Sequence, residues 1–508
     1  MKKEYASIWI FLSVFLASSM IFFDQSILPV ALPSIQKSLG SSPTQIQWMI
    51  NAYRLTIAAF VLGGGKLADM FGLRRIFCWG MFIFAISSIL CGLSPSTAFL
   101  LVNRFIQGIG AALVVPTLSP LLFSAFSIEK RGFVVGLKVS LSSVLMILGP
   151  PMGGVLTQYL SWRYIFWINP FIAVLGIILV LIFVRRSAKS KDHFDFFGFL
   201  FFTFAIYSFS LSMMQARNWG WFSYPIIFLF LLSVIFFSFL IFQEKKRKRA
   251  FIDINLFKNN TFAVCSLNIM VVKIALAAAI FWPIFFQQAL NFSPSKAGIY
   301  AMISFIPMLI AAPIGGKLVD KMGARKPLLL GQGLTFLSFL GICYFLPKAN
   351  IGLILSLTLM GFGGTFSLTP AFIGGLNSIP QKRRGRAAGI LNAVRSLGIS
   401  LGVALLGALL LNTQTYFFAS FLKKNLKTMH LDPFQFDGLL SHVKTAEENL
   451  RALNPAIQQE IITMMKTSLT WANQITIFCA ALFSLFMFLF IYKFMEKEKK
   501  IAEYYPSN

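Results

Sequence analysis

Asp24 is the only one of seventeen acidic residues placed deep inside a long apolar run; the other sixteen fall in loops, termini or the ends of such runs. An ionised carboxylate at the middle of a bilayer costs about 2.5 to 3.5 kcal/mol on insertion scales, so Asp24 needs a partner or a proton. Arg104, inside the apolar run 97–123, is the natural partner. Burial disfavours a charged carboxyl and a nearby guanidinium favours it, so a small molecule or water reaching the pair can tip the balance and release a proton. That is the minimum machinery of proton coupling. The alternative is a static buried pair that orients helices.

The other charges inside apolar runs are all basic: Arg54, Lys138, Lys273 and Arg395. Lys138 lies close to the inner end of its run and is expected to snorkel to the membrane surface. Arg54, Lys273 and Arg395 are deeper and are expected to face a polar substrate cavity, with Asn51, Tyr53, Gln107 and Asn392 near them in sequence. One acid among several bases favours neutral, zwitterionic or anionic amphiphiles over lipophilic cations. The high aromatic content, mostly Phe, suits a greasy cavity and equally suits lipid-facing packing. No histidine cluster, carboxylate pair or Ser/His/Asp set lies in the apolar runs, and His193, His430 and His442 are all in loops. Neither an enzyme nor a metal site is expected, and no cofactor beyond a proton gradient.

Two further motifs carry backbone chemistry. The phrase GKLADMFGLRR at Gly65–Arg75 returns as GKLVDKMGARK at Gly316–Lys326, with six of eleven positions matching at an offset of 251. Gly65, Gly72, Gly316 and Gly323 allow a tight reversal, while Asp69 and Asp320 can accept from exposed helix-start amides. Arg74 and Arg325 can pair with those aspartates or with lipid phosphate. The expectation is a charged latch at an inner gate that releases as two halves rock. In the run 132–157, Gly149-Pro150-Pro151-Met152-Gly153-Gly154 combines missing amide donors with small residues, which suits a hinge that seals against a neighbouring helix.

The elements that must position these residues are membrane helices. The chain is 57% hydrophobic and 12% charged over 508 residues, too apolar for a soluble fold. Fourteen apolar runs of about 20 residues, each enough to cross about 30 Å of hydrocarbon, can be placed from 8–30 to 472–493. The net charge of +28 alternates loop by loop: with both termini inside, the inner face carries 29 Lys and Arg and the outer loops 11. The bias places both ends in the cytoplasm. It also makes the run EKKRKR at 244–249 an anchor facing anionic lipid rather than a nucleic-acid patch. The N-terminal apolar segment has no small-residue cleavage site and is expected to stay as a first helix. The five cysteines have neither metal nor disulfide spacing and read as packing residues.

A second register of 253 places Gly108, Gly110, Gly136 and Gly149 on Gly361, Gly363, Gly389 and Gly402, and Arg131-Gly132 on Arg384-Gly385. Arg104 has no counterpart, since Leu357 takes its place, and this asymmetry favours function over packing. Parallel repeats of helical bundles build secondary transporters. The repeat therefore reads as an all-α membrane protein of two six-helix bundles, residues 1–190 and 251–508, with an inserted helix pair at 191–250. Within the second bundle, 412–471 reads as an outer amphipathic hairpin, taken as a solvated connector in preference to a cap on the outer mouth.

These motifs resemble the major facilitator superfamily, and within it the fourteen-helix drug:proton antiporter branch of the EmrB/QacA type. FDQSILPVALPSI at Phe23–Ile35 is similar to that branch's first-helix motif, and LLVNRFIQGIGAA at Leu100–Ala112 to its proton-linked motif with Arg104 and Gln107. GPPMGG resembles the antiporter motif associated with exporters. SWRYIFWINP at Ser161–Pro170 and RAFIDINLFKNNTF at Arg249–Phe262 are similar to further branch segments. Pro29, Arg54 and the early Pro170 depart from the usual pattern, which bears on substrate range. The resemblance implies alternating access in the bacterial inner membrane, with small amphipathic substrates and protons exchanged through Asp24 and Arg104. An exporter of a native metabolite, lipid-like molecule or siderophore is the other reading. Membrane lipid is the expected surrounding partner, and some members of the branch in double-membraned bacteria also work with a periplasmic adaptor.

Overall fold

The computed structural model describes residues 2–126, 128–185, 195–246, 254–380, 383–425, 439–441 and 444–495. His193, His430, His442, the basic run at 247–249, the boundaries at 190 and 250, and the surroundings of Arg131, Gly132 and Gly136 lie outside the described residues. Among those described, all regular structure is helical. The first half holds α1 (Lys2–Leu39), α2 (Pro43–Phe71), α3 (Leu73–Gly92), α4 (Thr97–Val114), α5 (Leu118–Ala125), α6 (Ile128–Tyr159) and α7 (Tyr164–Phe183). A hairpin of α8 (Phe196–Trp219) and α9 (Tyr224–Lys246) follows. The second half holds α10 (Asn260–Leu276), α11 (Trp282–Gln288), α12 (Pro294–Ile303), α13 (Met308–Met322), α14 (Arg325–Phe345), α15 (Ile351–Asn377), α16 (Arg384–Asn425), α17 (Lys444–Arg451) and α18 (Pro455–Phe494).

Three spans are broken helices. A short 3-10 turn at Val115–Thr117 separates α4 from α5, another at Ala277–Ile280 separates α10 from α11, and α12 meets α13 just before Pro307. Proline withholds an amide donor, which accounts for the breaks at Pro116 and Pro307. With these pairs joined, thirteen spans among the described residues are long and apolar enough to cross a membrane. Helix α2 is the fourteenth. Its 29 residues are long enough, but Gln45, Gln47, Asn51, Arg54, Lys66 and Asp69 lower its hydropathy. A membrane helix with that many polar groups has to face protein or water rather than lipid.

The duplication seen in the sequence is a duplication of packing. A Cβ on Gly110 would meet the backbone of Gly80 and Phe84, and one on Gly363 would meet the backbone of Leu334 and Thr335. Gly108 lies against the carbonyl of Tyr53, and Gly361 against that of Ser304. Residue pairs 84/335 and 53/304 are each related by the offset of the repeated phrase, so the same helix crossings recur in both halves. The turns recur too. Gly72 and Gly323 sit at φ 97 and 75, a region that L side chains rarely adopt, and each donates its amide to the last helical turn before it.

The inserted pair packs on the seam between the halves. Phe202, Ile206 and Leu240 form a cluster with Leu55 of α2 and Leu397 of α16, and Met213 and Met214 pack against Ala404. The halves themselves are clamped together on the face opposite the N-terminus. Gly154 of α6 abuts the Pro294 carbonyl, and Gly298 of α12 abuts that of Pro150. The Ser295 amide donates to Gln158 Oε1 at 3.3 Å, Gln287 donates to the Val30 carbonyl at 2.8 Å, and Gln288 donates to Gln36 at 3.1 Å.

The region 412–471 differs from a connector. The segment after Leu411 contains no glycine or proline up to Asn425, so α16 continues to 42 residues, and α18 begins at Pro455 and runs for 40. At 1.5 Å per residue each is about 60 Å long, roughly twice the hydrocarbon thickness. Their projecting ends enclose a small core of Phe418, Leu422, Leu439, Leu440, Ile461 and Met464. The amphipathic spacing is thus used to build a packed mini-bundle rather than a solvated link.

The clamp between α6 and α12 gives a test. Gly298→Val places a branched side chain where the Pro150 carbonyl lies, and is expected to hold these ends apart. In a cysteine-free background, a cysteine at Gln158 should then react with a membrane-impermeant maleimide several-fold faster than without the Val. Equal labelling rates would show that the two helices do not close at this point.

Candidate functional site

The chemistry is built where α1, α2, α3, α4 and α7 meet. Arg104 Nη1 lies 2.8 Å from Asp24 Oδ2 and 3.1 Å from Oδ1, and both side chains are about 1% exposed. The same nitrogen donates to Gln107 Oε1 at 2.6 Å, and Arg104 Nε donates to the Met49 carbonyl of α2 at 3.3 Å. Gln107 Nε2 turns back to Asp24 Oδ1 at 3.2 Å and to Ser88 Oγ of α3 at 3.3 Å. Asn169 Nδ2, from α7, donates to Ser88 Oγ at 3.0 Å and reaches Asp24 Oδ1 at 3.5 Å. Arg104 also lies over the Tyr53 ring, 4.4 Å from its centroid, and 5.8 Å from that of Phe166. The carboxylate is therefore held by one guanidinium and two amides, and the guanidinium by a carboxylate, an amide oxygen, a carbonyl and two rings.

Local sequence accounts for these placements. Arg104 and Gln107 are one turn apart on α4 and so share a face. Asn51 and Tyr53 do not share one with each other. Asn51 is fully buried in a joint between the halves, accepting from Ser400 Oγ at 2.7 Å and donating to Met214 Sδ at 3.0 Å. Tyr53 and Gln107 belong to the Asp24 cluster rather than standing apart as cavity lining. Asn392 donates to the Ala388 carbonyl of its own helix at 2.9 Å. Arg54 donates to the Gln25 carbonyl at 3.2 Å, beside the cluster. Ser88 and Asn169 were not singled out by sequence reasoning. Asn169 carried a signal, as an amide within an otherwise apolar stretch of α7; a lone serine among many carried none.

Lys138 does not snorkel. It is 8% exposed, ten residues into α6, and is packed within the protein. The Lys273 stem packs on Gly398 of α16, one turn beyond Arg395.

The repeated turns make matching contacts. Arg74 donates to the Val184 carbonyl at the end of α7 at 2.8 Å, and Arg325 donates to the Tyr492 carbonyl near the end of α18 at 2.7 Å. Each guanidinium satisfies carbonyls at a helix C-terminus within its own half, where the helix dipole also favours a cation. Asp69 and Asp320 are exposed at the ends of α2 and α13. Gly65 faces Pro116 and Gly316 faces Ile373, where an added Cβ would make only ordinary contact. The Gly149 to Gly154 segment serves two helices: Gly149 and Gly153 lie on Ser26 and Ile27 of α1, and Gly154 lies on α12. Pro150 and Pro151 stay within a continuous α6. Among the described residues, no group of His, Cys, Asp and Glu could hold a metal ion.

A duplicated six-helix scaffold with a buried acid between its first and fourth spans is matched by one family over most of its length. The sequence pattern of the Major Facilitator Superfamily fits residues 14–257 and 261–422. The chain belongs to that superfamily of membrane transporters. It is 30% identical over 439 residues to the multidrug resistance protein Stp of Mycobacterium tuberculosis, covering 86% of this chain and 80% of that one. It is 29% identical over 398 residues to the riboflavin transporter RibZ of Clostridioides difficile, covering 77% and 86%. In fold it is similar to a bacterial homologue of the human lysosomal transporter Spinster in an inward-facing, occupied conformation. There the TM-score is 0.66 at 17% identity, over 96% of this chain and 97% of the other.

The transporter's buried pair yields a stability prediction. Breaking such a pair by removing one partner costs about 3 to 5 kcal/mol, because the other charge stays buried. Arg104→Gln is expected to lower the melting midpoint in detergent by more than the double variant Asp24→Asn/Arg104→Gln does. Additive losses in a double-mutant cycle would show that the two charges do not depend on each other.

Proposed function

We propose that this transporter exports amphipathic compounds in exchange for protons, with Asp24 as the proton-carrying group and Arg104 as its counter-ion. The observation that carries the reading is that Asp24, the one acid deep in the membrane helices, is held by a guanidinium and by amides from α4 and α7. Protonation removes the charge that fixes Arg104 Nη1, and frees the guanidinium to rely on the Met49 carbonyl and the Tyr53 ring of α2. Because these contacts join α1, α2, α3, α4 and α7, neutralising one carboxylate changes how five helices of one half pack. Such a change biases the half toward one orientation of its cavity, and substrate binding biases it toward the other.

The remaining parts fit rocking of two rigid bodies. Arg74 and Arg325 each tie the repeated turn to the last helix of their own half, and the two halves meet through small residues at Gly154 and Gly298. Positive charge is concentrated on the face of the N-terminus, which favours an orientation with both termini cytoplasmic in the bacterial inner membrane. The contacts between α6 and α12 then close the outer side, which supports an inward-facing state. Kinship to a multidrug resistance protein favours amphiphile export, and kinship to a riboflavin transporter favours the second reading, a dedicated metabolite substrate.

Reconstitution in liposomes with an internal pH dye tests this. Under an imposed proton gradient, adding amphiphiles that are carried is expected to move protons through the wild type. Asp24→Asn is expected to lose at least tenfold of that flux while retaining substrate binding. Substrate movement indifferent both to pH and to Asp24 would reduce the pair to structure and make the protein a facilitator.

A further inference from the structure

Four cations stand in the middle of the molecule without a carboxylate to neutralise them. Arg54 lies on α2 and Lys138 on α6, both in the first half; Lys273 lies on α10 and Arg395 on α16, both in the second. Lys138, Lys273 and Arg395 are ten to thirteen residues from the ends of their helices that share the face of the N-terminus, which puts them about 15 to 20 Å along those helices. Across the boundary between the halves, Asn51, one turn before Arg54 on α2, accepts from Ser400 Oγ of α16 at 2.7 Å, and Leu55 packs with Leu397 of α16, so Arg54 and Arg395 lie on facing stretches of these two helices. Within the second half, the Lys273 stem packs on Gly398, one turn beyond Arg395. Arg54, Lys273 and Arg395 therefore lie at one joint between the halves, with Lys138 at a similar depth on α6.

That space lacks a counter-ion from the protein. Asp24, the acid deep within the first half's helices, is already engaged by Arg104. Among the described residues, Lys138, Lys273 and Arg395 have neither a carboxylate partner nor a hydrogen-bond acceptor, while Arg395 is exposed and Lys273 half-buried. Lone cations are costly away from bulk water, and a set of them is kept only where something anionic joins them.

We propose that Arg54, Lys138, Lys273 and Arg395 form the binding site for the acidic group of the transported compound, a carboxylate, sulfonate or phosphate on an apolar body. The proposal rests on the reading of the protein as a transporter and assigns its substrate class: amphiphilic organic anions. The two halves contribute two cations each, so the anion draws them together, which is what a substrate has to do to drive closure around itself. A membrane potential negative inside favours the outward movement of such an anion and the inward movement of a proton alike.

The test uses a pair of fluorescent probes that differ in one group. 1-Anilinonaphthalene-8-sulfonate carries a sulfonate, and N-phenyl-1-naphthylamine is the same ring system without it. With the full-length protein in nanodiscs of zwitterionic lipid, the wild type is expected to bind the sulfonate at least tenfold more tightly than the neutral probe. Lys273→Gln/Arg395→Gln should abolish that preference while leaving the neutral probe's affinity within about twofold, and Lys273→Arg should retain it. Retained neutral-probe binding identifies a folded variant. Equal affinity of the wild type for both probes, or a preference that survives in the double Gln variant, would overturn the proposal. So would tighter binding of a cationic dye of similar size that the double variant leaves unchanged. Because this readout is binding without a proton gradient, it can succeed even if Asp24 proves unnecessary for transport, and fail even if proton exchange is found.

Discussion

One buried ion pair sets the terms for the first half of this molecule. A carboxylate cannot sit alone in the hydrocarbon layer, so Asp24 has to be met by Arg104, and the remaining donors and acceptors of both groups have to be met as well. Satisfying them recruits Met49 from α2, Ser88 from α3, Gln107 from α4 and Asn169 from α7. Five helices thereby converge on one carboxylate. These polar contacts decide which helix faces meet at the carboxylate, while close approaches at Gly108 and Gly110 set how the helices cross.

The second half carries the same crossings without the same charge. Gly361 and Gly363 repeat the close approaches of Gly108 and Gly110, but Leu357 stands where Arg104 would be. Its interior polar contact is neutral: Gln332 donates to Asn268 at 2.6 Å, and Asn268 donates to the Ser367 carbonyl at 2.8 Å. Neutral amides stabilise a bundle without responding to protons. The buried acid–base pair thus belongs to only one of two halves whose helix crossings match.

Between the halves the balance is reversed, with cations in excess and Asn51 bridging α2, α8 and α16. The inserted hairpin therefore does more than lengthen the chain, because Met214 and Tyr207 of α8 bond to Asn51 and Thr56 of α2 at the seam. Polar side chains that would be unsatisfied toward lipid are covered there. This explains how α2 can carry so many polar residues and still span the membrane.

Much of this was legible in the chain. Run lengths gave the spans and the repeated phrase the duplicated bundle, because hydrophobic thickness and glycine's backbone freedom each act locally on sequence. The pairing of Asp24 with Arg104 was legible for a similar reason, since a lone acid and a nearby span's arginine leave few alternatives. Other features depended on which helix faces meet. Lys138 read as a snorkelling residue, yet its side chain is buried within the protein. Arg74 and Arg325 read as partners of the neighbouring aspartates or of lipid phosphate, and each donates to the carbonyl end of a helix in its own half. The outer segment read as a connector, yet two spans extend through it and pack on each other. Sequence by itself determined what each residue needs, a counter-charge, a donor or an apolar neighbour; only the tertiary structure decided which neighbour supplies it, because that depends on helix rotation and depth, and these are set by contacts far apart in the chain.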